Sequence, residues 1–222
     1  MDFLNKNILI TGGSRGIGLA ICNIFKDLGG NVISLNSKDC DFSKDDVNKF
    51  IKDINNIDIL INNAGINKID SFSKINDNDF DRIIKVNVKT PFIISKHVIK
   101  NMKKNNWGRI INIASIWGSK SKKQRTSYTT SKSALIGMTK TMAIEYAQHN
   151  ILINSVSPGF TDTELTSTIL SKKQKEELIN QVPIKRMAKP EEIANTVAFL
   201  CSNLNTYITG QDIIIDGGFT IT

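Results

Sequence analysis

The chain lacks the residues that mark several common protein classes. Its three cysteines, Cys22, Cys40 and Cys201, are odd in number and far apart, with no C-x-x-C pair and no histidine-rich neighbour, which argues against a disulfide framework and against zinc. No apolar run approaches the ~18 residues that a membrane span requires. The chain runs from Met1 through a polar stub into Asn7-Ile8-Leu9-Ile10-Thr11, without a charged-then-apolar leader. The expectation is a soluble, cytoplasmic protein with no membrane partner and no metal. Arginine is scarce: Arg15, Arg82, Arg109, Arg125 and Arg186 are the only ones among 29 basic residues. The formal net charge of +8 therefore comes from lysine scattered through a chain also heavy in asparagine and isoleucine. No recognition motif or aromatic-basic interleaving accompanies it, so nucleic acid is not an expected partner. There is no repeat and no low-complexity linker, and 222 residues suit a single domain with a substantial core.

Against these absences stands Thr126-Ser127-Tyr128-Thr129-Thr130-Ser131-Lys132-Ser133-Ala134, which opens a helix expected to run to about His149. Tyr128 and Lys132 fall on one face of it, roughly 6 Å apart along the axis. A tyrosine loses its proton near pH 10, too high for neutral-pH acid-base work, and an ammonium beside it favours the phenolate. Tyrosine is then the proton carrier and lysine the tuner. A Y-x-x-x-K pair alone is a weak signal in a lysine-rich chain.

The first unit reads as a strand over Asn7 to Thr11 and a turn, Gly12-Gly13-Ser14-Arg15-Gly16-Ile17-Gly18. A helix with Ile17, Ala20, Ile21, Ile24, Phe25 and Leu28 on one side and a second strand, Val32 to Leu35, complete it. Glycines there let the backbone approach a pyrophosphate, and the helix start attracts its charge. The spacing is T-G-x-x-x-G-x-G rather than G-x-G-x-x-G.

With Tyr128 and Lys132, that spacing resembles the short-chain dehydrogenase/reductase family, and the resemblance extends over nearly the whole chain. Asn62-Asn63-Ala64-Gly65 is similar to the family's N-N-A-G, and Asn87 and Ser115 to its active-site asparagine and serine. Pro158-Gly159 resembles its turn beside the nicotinamide. Tyr207-Ile208-Thr209-Gly210, Asp216-Gly217-Gly218, and Val182 to Arg186 followed by Pro190 to Ala194 also match. Within the family the wording is most similar to 3-oxoacyl-carrier-protein reductases and to relatives acting on sugars, polyols and other small ketones.

The resemblance implies an α/β fold, a doubly wound, Rossmann-like parallel sheet with helices on both faces. One departure is expected. Only Asn36 to Cys40 separate the second strand from Asp41-Phe42-Ser43, which resembles a family segment near the adenine. A crossover to a parallel strand normally needs about a dozen residues. The helix between the second and third strands is therefore expected to be lost and the third strand vestigial. Further helices are expected over Asp45 to Ile54, with Val47, Phe50, Ile51 and Ile54 on one face, and over Asp77 to about Asn105, kinked at Pro91. Two more are expected over Lys172 to Gln181 and Pro190 to Leu200.

The resemblance also implies roles. Tyr128 would be the acid/base in hydride transfer between a nicotinamide and a carbonyl or secondary alcohol carbon, and Ser115 would hold the substrate oxygen. Lys132 would lower the tyrosine pKa and bind the ribose, and Asn87 would support a water linking Lys132 to solvent. Gly12, Ser14, Arg15, Gly16, Ile17 and Gly18 would hold the pyrophosphate, Asn63, Ala64, Gly65, Asp41 and Phe42 the adenosine side, and Pro158, Gly159, Thr161 and Thr163 the nicotinamide and pyrophosphate. After the second strand the chain reads Asn36-Ser37-Lys38, with no acid to take ribose hydroxyls. Arg15 and Ser37 are suited to a 2'-phosphate, so NADP(H) is favoured over NAD(H), with re-routing of Lys38 and Asp39 the open alternative. Lys120, Lys122, Lys123 and Arg125 either steer an anionic or carrier-linked substrate or form a solvated loop. Trp117 either stacks on substrate or fills a gap at a subunit interface, and Thr163 to Lys189 would form a lid. A sugar dehydrogenase and a non-catalytic NADP(H) sensor are the other readings, and self-association as a dimer or tetramer through the helices holding Asn87 and Tyr128 is implied.

Overall fold

The structure, a computed structural model, describes residues 1–164 and 171–222. Six parallel strands form one sheet: β1 (Asn7–Thr11), β2 (Asn31–Leu35), β3 (Ile59–Asn62), β4 (Gly108–Ile113), β5 (Ile151–Pro158) and β6 (Asp212–Ile215), in the order β2-β1-β3-β4-β5-β6. The described helices include α1 (Gly16–Asp27), α2 (Val47–Ile51), α3 (Asp77–Ile84), α4 (Thr90–Asn105), α5 (Thr126–Tyr146), α6 (Lys172–Gln181) and α7 (Pro190–Cys201).

The strands are apolar at nearly every position because both faces are covered, and their period of two divides them between two cores. Ile8, Ile10, Ile59, Ile61, Ile111 and Ile113 join Ile21 and Phe25 of α1 and Ile193 and Val197 of α7 on one face. Leu9, Leu60, Ile110, Ile151 and Ile153 join Val47 of α2, Ile94, Val98 and Met102 of α4 and Ala143 of α5 on the other. The chain order reverses between β1 and β3. That junction opens a crevice at the carboxyl ends of the strands, where open α/β sheets bind ligands.

The departure foreseen after β2 is present. Asn36 to Cys40 close a tight turn, with the Asp39 and Cys40 N–H groups both donating to the Asn36 carbonyl at 2.9 Å. No strand follows before β3, which leaves β2 as a sheet edge with Ile33 exposed. Two helical expectations need correction. The helix expected over Asp45 to Ile54 is only α2, capped by Asp46, and Phe50 stands exposed while Val47 and Ile51 are buried. The single helix expected over Asp77 to Asn105 is interrupted by a π-helical turn, Lys85–Lys89, between α3 and α4. Pro91 offers no N–H, so the wider turn accommodates a gap that a continuous α-helix would leave.

Candidate active site

The glycine turn follows β1 and needs its glycines for space and for backbone hand. Gly12 and Gly16 have φ of +71° and +54°, in the left-handed region. A Cβ on Gly18 would lie 2.1 Å from the Gly12 carbonyl oxygen. Asn63, just past β3, ties the turn down: its side-chain amide donates to the Thr11 and Gly12 carbonyls at 3.0 Å, and its N–H and that of Ala64 donate to the Thr11 hydroxyl at 3.0 Å. No side chain caps α1 and no acid stands in its first turn. This cradle and uncapped helix start fit a dinucleotide pyrophosphate. Ser14 and Arg15 are exposed at its lip, Ile17 is half-buried, and a Cβ on Gly16 would touch Thr163 at 3.3 Å.

The π turn sets Asn87 fully buried among three elements. Its Oδ1 accepts from the Ile66 N–H at 2.9 Å, and its Nδ2 donates to the Ile66 carbonyl at 2.9 Å and to Ser131 Oγ at 3.0 Å. It thus clamps the loop after β3 to α5. Lys132 is buried on α5 and donates to the Ile113 carbonyl at 2.7 Å. A Cβ on Gly65 would lie 3.4 Å from Lys132 Nζ and 3.5 Å from Asn87 Oδ1, so Gly65 sits directly against the pair.

Ser115 lies one residue beyond Ala114 at the carboxyl end of β4 and caps a short 3-10 turn, Ile116–Gly118, accepting the Trp117 N–H at 3.2 Å. That turn is fixed on α5 by Ser133, whose hydroxyl donates to the Gly118 carbonyl at 2.7 Å. Ser115 and Tyr128 are thereby neighbours. Burial pushes the Tyr128 phenol above its usual range, while the Ser115 hydroxyl and the Arg125 charge oppose that rise. Lys132, of which a tuning role is expected, stands one turn further along α5. Its Nζ is 5.6 Å from the centre of the Tyr128 ring, and burial lowers its own pKa to about 8.

At the end of β2 the structure adds a residue that the sequence reading left open. The Asp39 carboxylate folds back to accept the Asn36 N–H at 2.9 Å, while Asn36 Oδ1 accepts from Ser34 at 3.2 Å and Ser37 is exposed. An exposed carboxylate is therefore held close to the end of β2. The Asp41 carboxylate accepts from the Ser43 N–H and hydroxyl at 3.0 and 2.6 Å, and the Phe42 ring belongs to the core under α2. Pro158 ends β5, and a Cβ on Gly159 would sit 2.8 Å from Asp216 Cα. Thr161 donates to the Gly159 carbonyl at 3.3 Å and pairs with Ala188.

The basic loop is not uniform. Lys122 and Lys123 are exposed and Arg125 is half-buried. Lys120 is committed to the carbonyls of Phe219 and Thr222 at 3.4 and 3.3 Å, which removes it from the expected steering set. Of the expected lid, residues 165–170 lie outside the described residues. The segment after them carries α6 and an Arg186–Glu192 ion pair of 2.6 Å. Among the described residues no helix is long and apolar enough to cross a membrane, and no cluster of His, Cys, Asp or Glu could hold a metal ion.

A sequence family described as enoyl-(acyl carrier protein) reductase matches residues 19–220. The 3-oxoacyl-[acyl-carrier-protein] reductase FabG of Rickettsia typhi is 38% identical over 98% of both chains. A short-chain type dehydrogenase/reductase from Mycobacterium marinum superposes with a TM-score of 0.88 at 31% identity, over 100% of this chain and 98% of that one. The structure of ElxO with NADP bound superposes with a TM-score of 0.87 at 28% identity, over 98% and 99%. The chain belongs to the short-chain dehydrogenase/reductase family of oxidoreductases.

Proposed function

We propose that the protein interconverts a ketone and a secondary alcohol with NADP(H), and that its substrate is a 3-oxoacyl group carried on a thioester. The observation that carries the reading is the convergence of Ser115, Tyr128, Lys132 and Asn87 beside the glycine turn, at the carboxyl ends of β3 and β4. NADP(H), when bound, supplies or accepts the hydride. In the reductive direction the Tyr128 hydroxyl donates its proton to the substrate oxygen, and the Ser115 hydroxyl donates a hydrogen bond to the same atom. The phenol holds its proton at neutral pH, and the Ser115 hydroxyl and the Arg125 charge favour the phenolate that forms as the proton leaves. Lys132, with a pKa of about 8, exchanges protons readily near neutral pH and lies where its Nζ reaches both the ribose side at Gly65 and the Ile113 carbonyl. The Asn87 carbonyl is deprived by Pro91 of its α-helical donor, which favours a water there as the link from Lys132 to solvent.

The cofactor's diphosphate is assigned to Gly12, Ser14, Arg15, Gly16, Ile17 and Gly18, with Thr163 opposite. Its adenosine side is assigned to Asn36, Ser37, Asp41, Phe42, Asn63, Ala64 and Gly65, and its nicotinamide to Pro158, Gly159, Thr161, Tyr128 and Lys132. The reductase names of the relatives and the NADP-bound neighbour support NADP(H) and an acyl-carrier substrate. Arg15 is the cation available to the 2'-phosphate at the lip. Phe92 on α4 and Ile144 on α5 are exposed, which supports self-association through those helices. The test is turnover of a 3-oxoacyl thioester by wild type and Tyr128→Phe, with nicotinamide fluorescence reporting NADPH binding. The variant is expected to lose turnover by at least a thousandfold and to bind NADPH within threefold of wild type. Unchanged turnover would sink the assignment.

A further inference from the structure

Three aromatic side chains belong to neither core and gather at one place. Trp117 follows Ser115 beyond β4, Phe160 follows Pro158-Gly159 beyond β5, and Phe219 follows Gly217-Gly218 beyond β6. Their rings meet edge to face: Phe160 and Phe219 at 5.0 Å, Trp117 and Phe219 at 6.0 Å, Trp117 and Phe160 at 6.2 Å. All three are only half-buried. They crown the carboxyl ends of β4, β5 and β6, the half of the sheet not used by the glycine turn, and Trp117 bonds Ser115 through its own N–H. A solvent-facing aromatic group at the ligand-binding end of a parallel sheet needs a further reason, because burying these rings in a core would satisfy the hydrophobic effect better.

Phe219 is also held in place from outside. It sits on the short 3-10 turn Phe219–Ile221, with the Gly218 φ at +90° aiming the turn. Lys120 donates to the backbone oxygens of Phe219, which opens that turn, and of Thr222, which follows it, and lies 5.5 Å from the centre of the Phe219 ring. One ammonium thus ties the turn to the loop that begins at Ser115.

We propose that Trp117, Phe160 and Phe219 form the apolar wall that selects the substituent on the substrate carbonyl, with Lys120 as the positioning residue for Phe219. The inference rests on the ketoreductase reading and adds the determinant of chain length. A substrate whose carbonyl meets Ser115 and Tyr128 extends its apolar chain along these rings, while a short ketone makes no use of them.

The test compares kcat/KM for 3-oxodecanoyl and 3-oxobutanoyl thioesters of N-acetylcysteamine. Phe219→Ala is expected to lower the long-to-short ratio about tenfold, the equivalent of one to two methylene contacts. Lys120→Met is expected to lower it about threefold, mainly through KM, and Lys120→Arg to restore it. An unchanged ratio in Phe219→Ala overturns the proposal. An unchanged ratio with an altered sedimentation coefficient also does, and assigns the rings to a subunit contact. If wild type turns over neither thioester, the ketoreductase reading fails by itself. The wall is then judged in a Trp107→Phe background by quenching of Trp117 fluorescence on adding the 3-oxodecanoyl thioester. Quenching that Phe219→Ala abolishes upholds the wall, and absence of quenching overturns it.

Discussion

Replacing Lys132 with Met should change how the stability of the cofactor-free protein responds to pH, and the size of the change follows from the burial of one ammonium. Burial lowers the Lys132 pKa from 10.5 to about 8, while the Ile113 carbonyl at 2.7 Å offers one partner and no buried carboxylate faces the charge. A cation whose folded pKa is depressed binds fewer protons folded than unfolded between those two values. Stability therefore rises with pH across that window. At about 1.4 kcal/mol per pH unit, the wild type gains roughly 2 kcal/mol from this group between pH 7 and pH 9.5. Buried thiols act in the opposite sense. Cys40 is raised to about 11 and Cys22 and Cys201 are raised too, so they keep protons that the unfolded chain releases, and stability falls from about pH 9 upward. The thiols are common to wild type and variant, so the difference between the two isolates Lys132. Urea unfolding under reducing conditions at pH 7, 8, 9 and 9.5 measures it. The wild-type midpoint should move up relative to Lys132→Met by about 1 M across the series. Parallel curves would show that Lys132 titrates at its ordinary pKa in the folded protein and would refute the desolvation argument.

Asn87→Ala leaves the Ile66 N–H and carbonyl without the side chain that satisfies both and frees Ser131 from α4's entry turn. The expected cost is about 3 kcal/mol, read as a lowered urea midpoint at constant slope. Gly18→Ala forces a methyl group to 2.1 Å from the Gly12 carbonyl, and isothermal calorimetry should show NADPH affinity reduced more than tenfold; affinity within twofold would contradict the close approach. Asp39→Asn removes the one carboxylate held at the end of β2. It should tighten NADPH severalfold while NADH tightens little or weakens, and equal effects on both would place Asp39 away from the ribose.

The readable parts of this fold were those in which chemistry is local. Short apolar runs bounded by turns identified β1 and β2, and the five residues after Leu35 were too few for a crossover, which told in advance that the next helix would be lost and the strand after it vestigial. Ser115, Tyr128, Lys132 and the glycine turn were legible because hydride-transfer sites of this family carry them at recognisable spacings. Two helices were misread for a shared reason. Periodicity over Asp45 to Ile54 promised a longer helix than forms: α2 ends at Ile51, and of the expected face Val47 and Ile51 are buried while Phe50 is exposed. At Lys85–Lys89 the periodicity continues through a turn whose geometry changes, because a hydrophobic pattern does not record which carbonyl pairs with which N–H.

The electrostatics of the site required the assembled molecule. Sequence spacing brought Lys132 near Tyr128, and residue type gave each a usual pKa. Burial raises the Tyr128 phenol and lowers the Lys132 ammonium, while the Ser115 hydroxyl and the Arg125 charge oppose the rise at the phenol. Asp39 returned to the end of β2 through a turn, and Phe219 met Trp117 and Phe160 from distant parts of the chain. The amino-acid sequence by itself determined the first strands and most of the helices, the missing crossover and the set of reactive groups, since these depend on side-chain type and short-range spacing. Only the tertiary structure decided which charges lie within reach of the phenol, which acid folds back on the end of β2 and which rings crown β4 to β6, because desolvation and through-space distance are set by packing between segments remote in the chain.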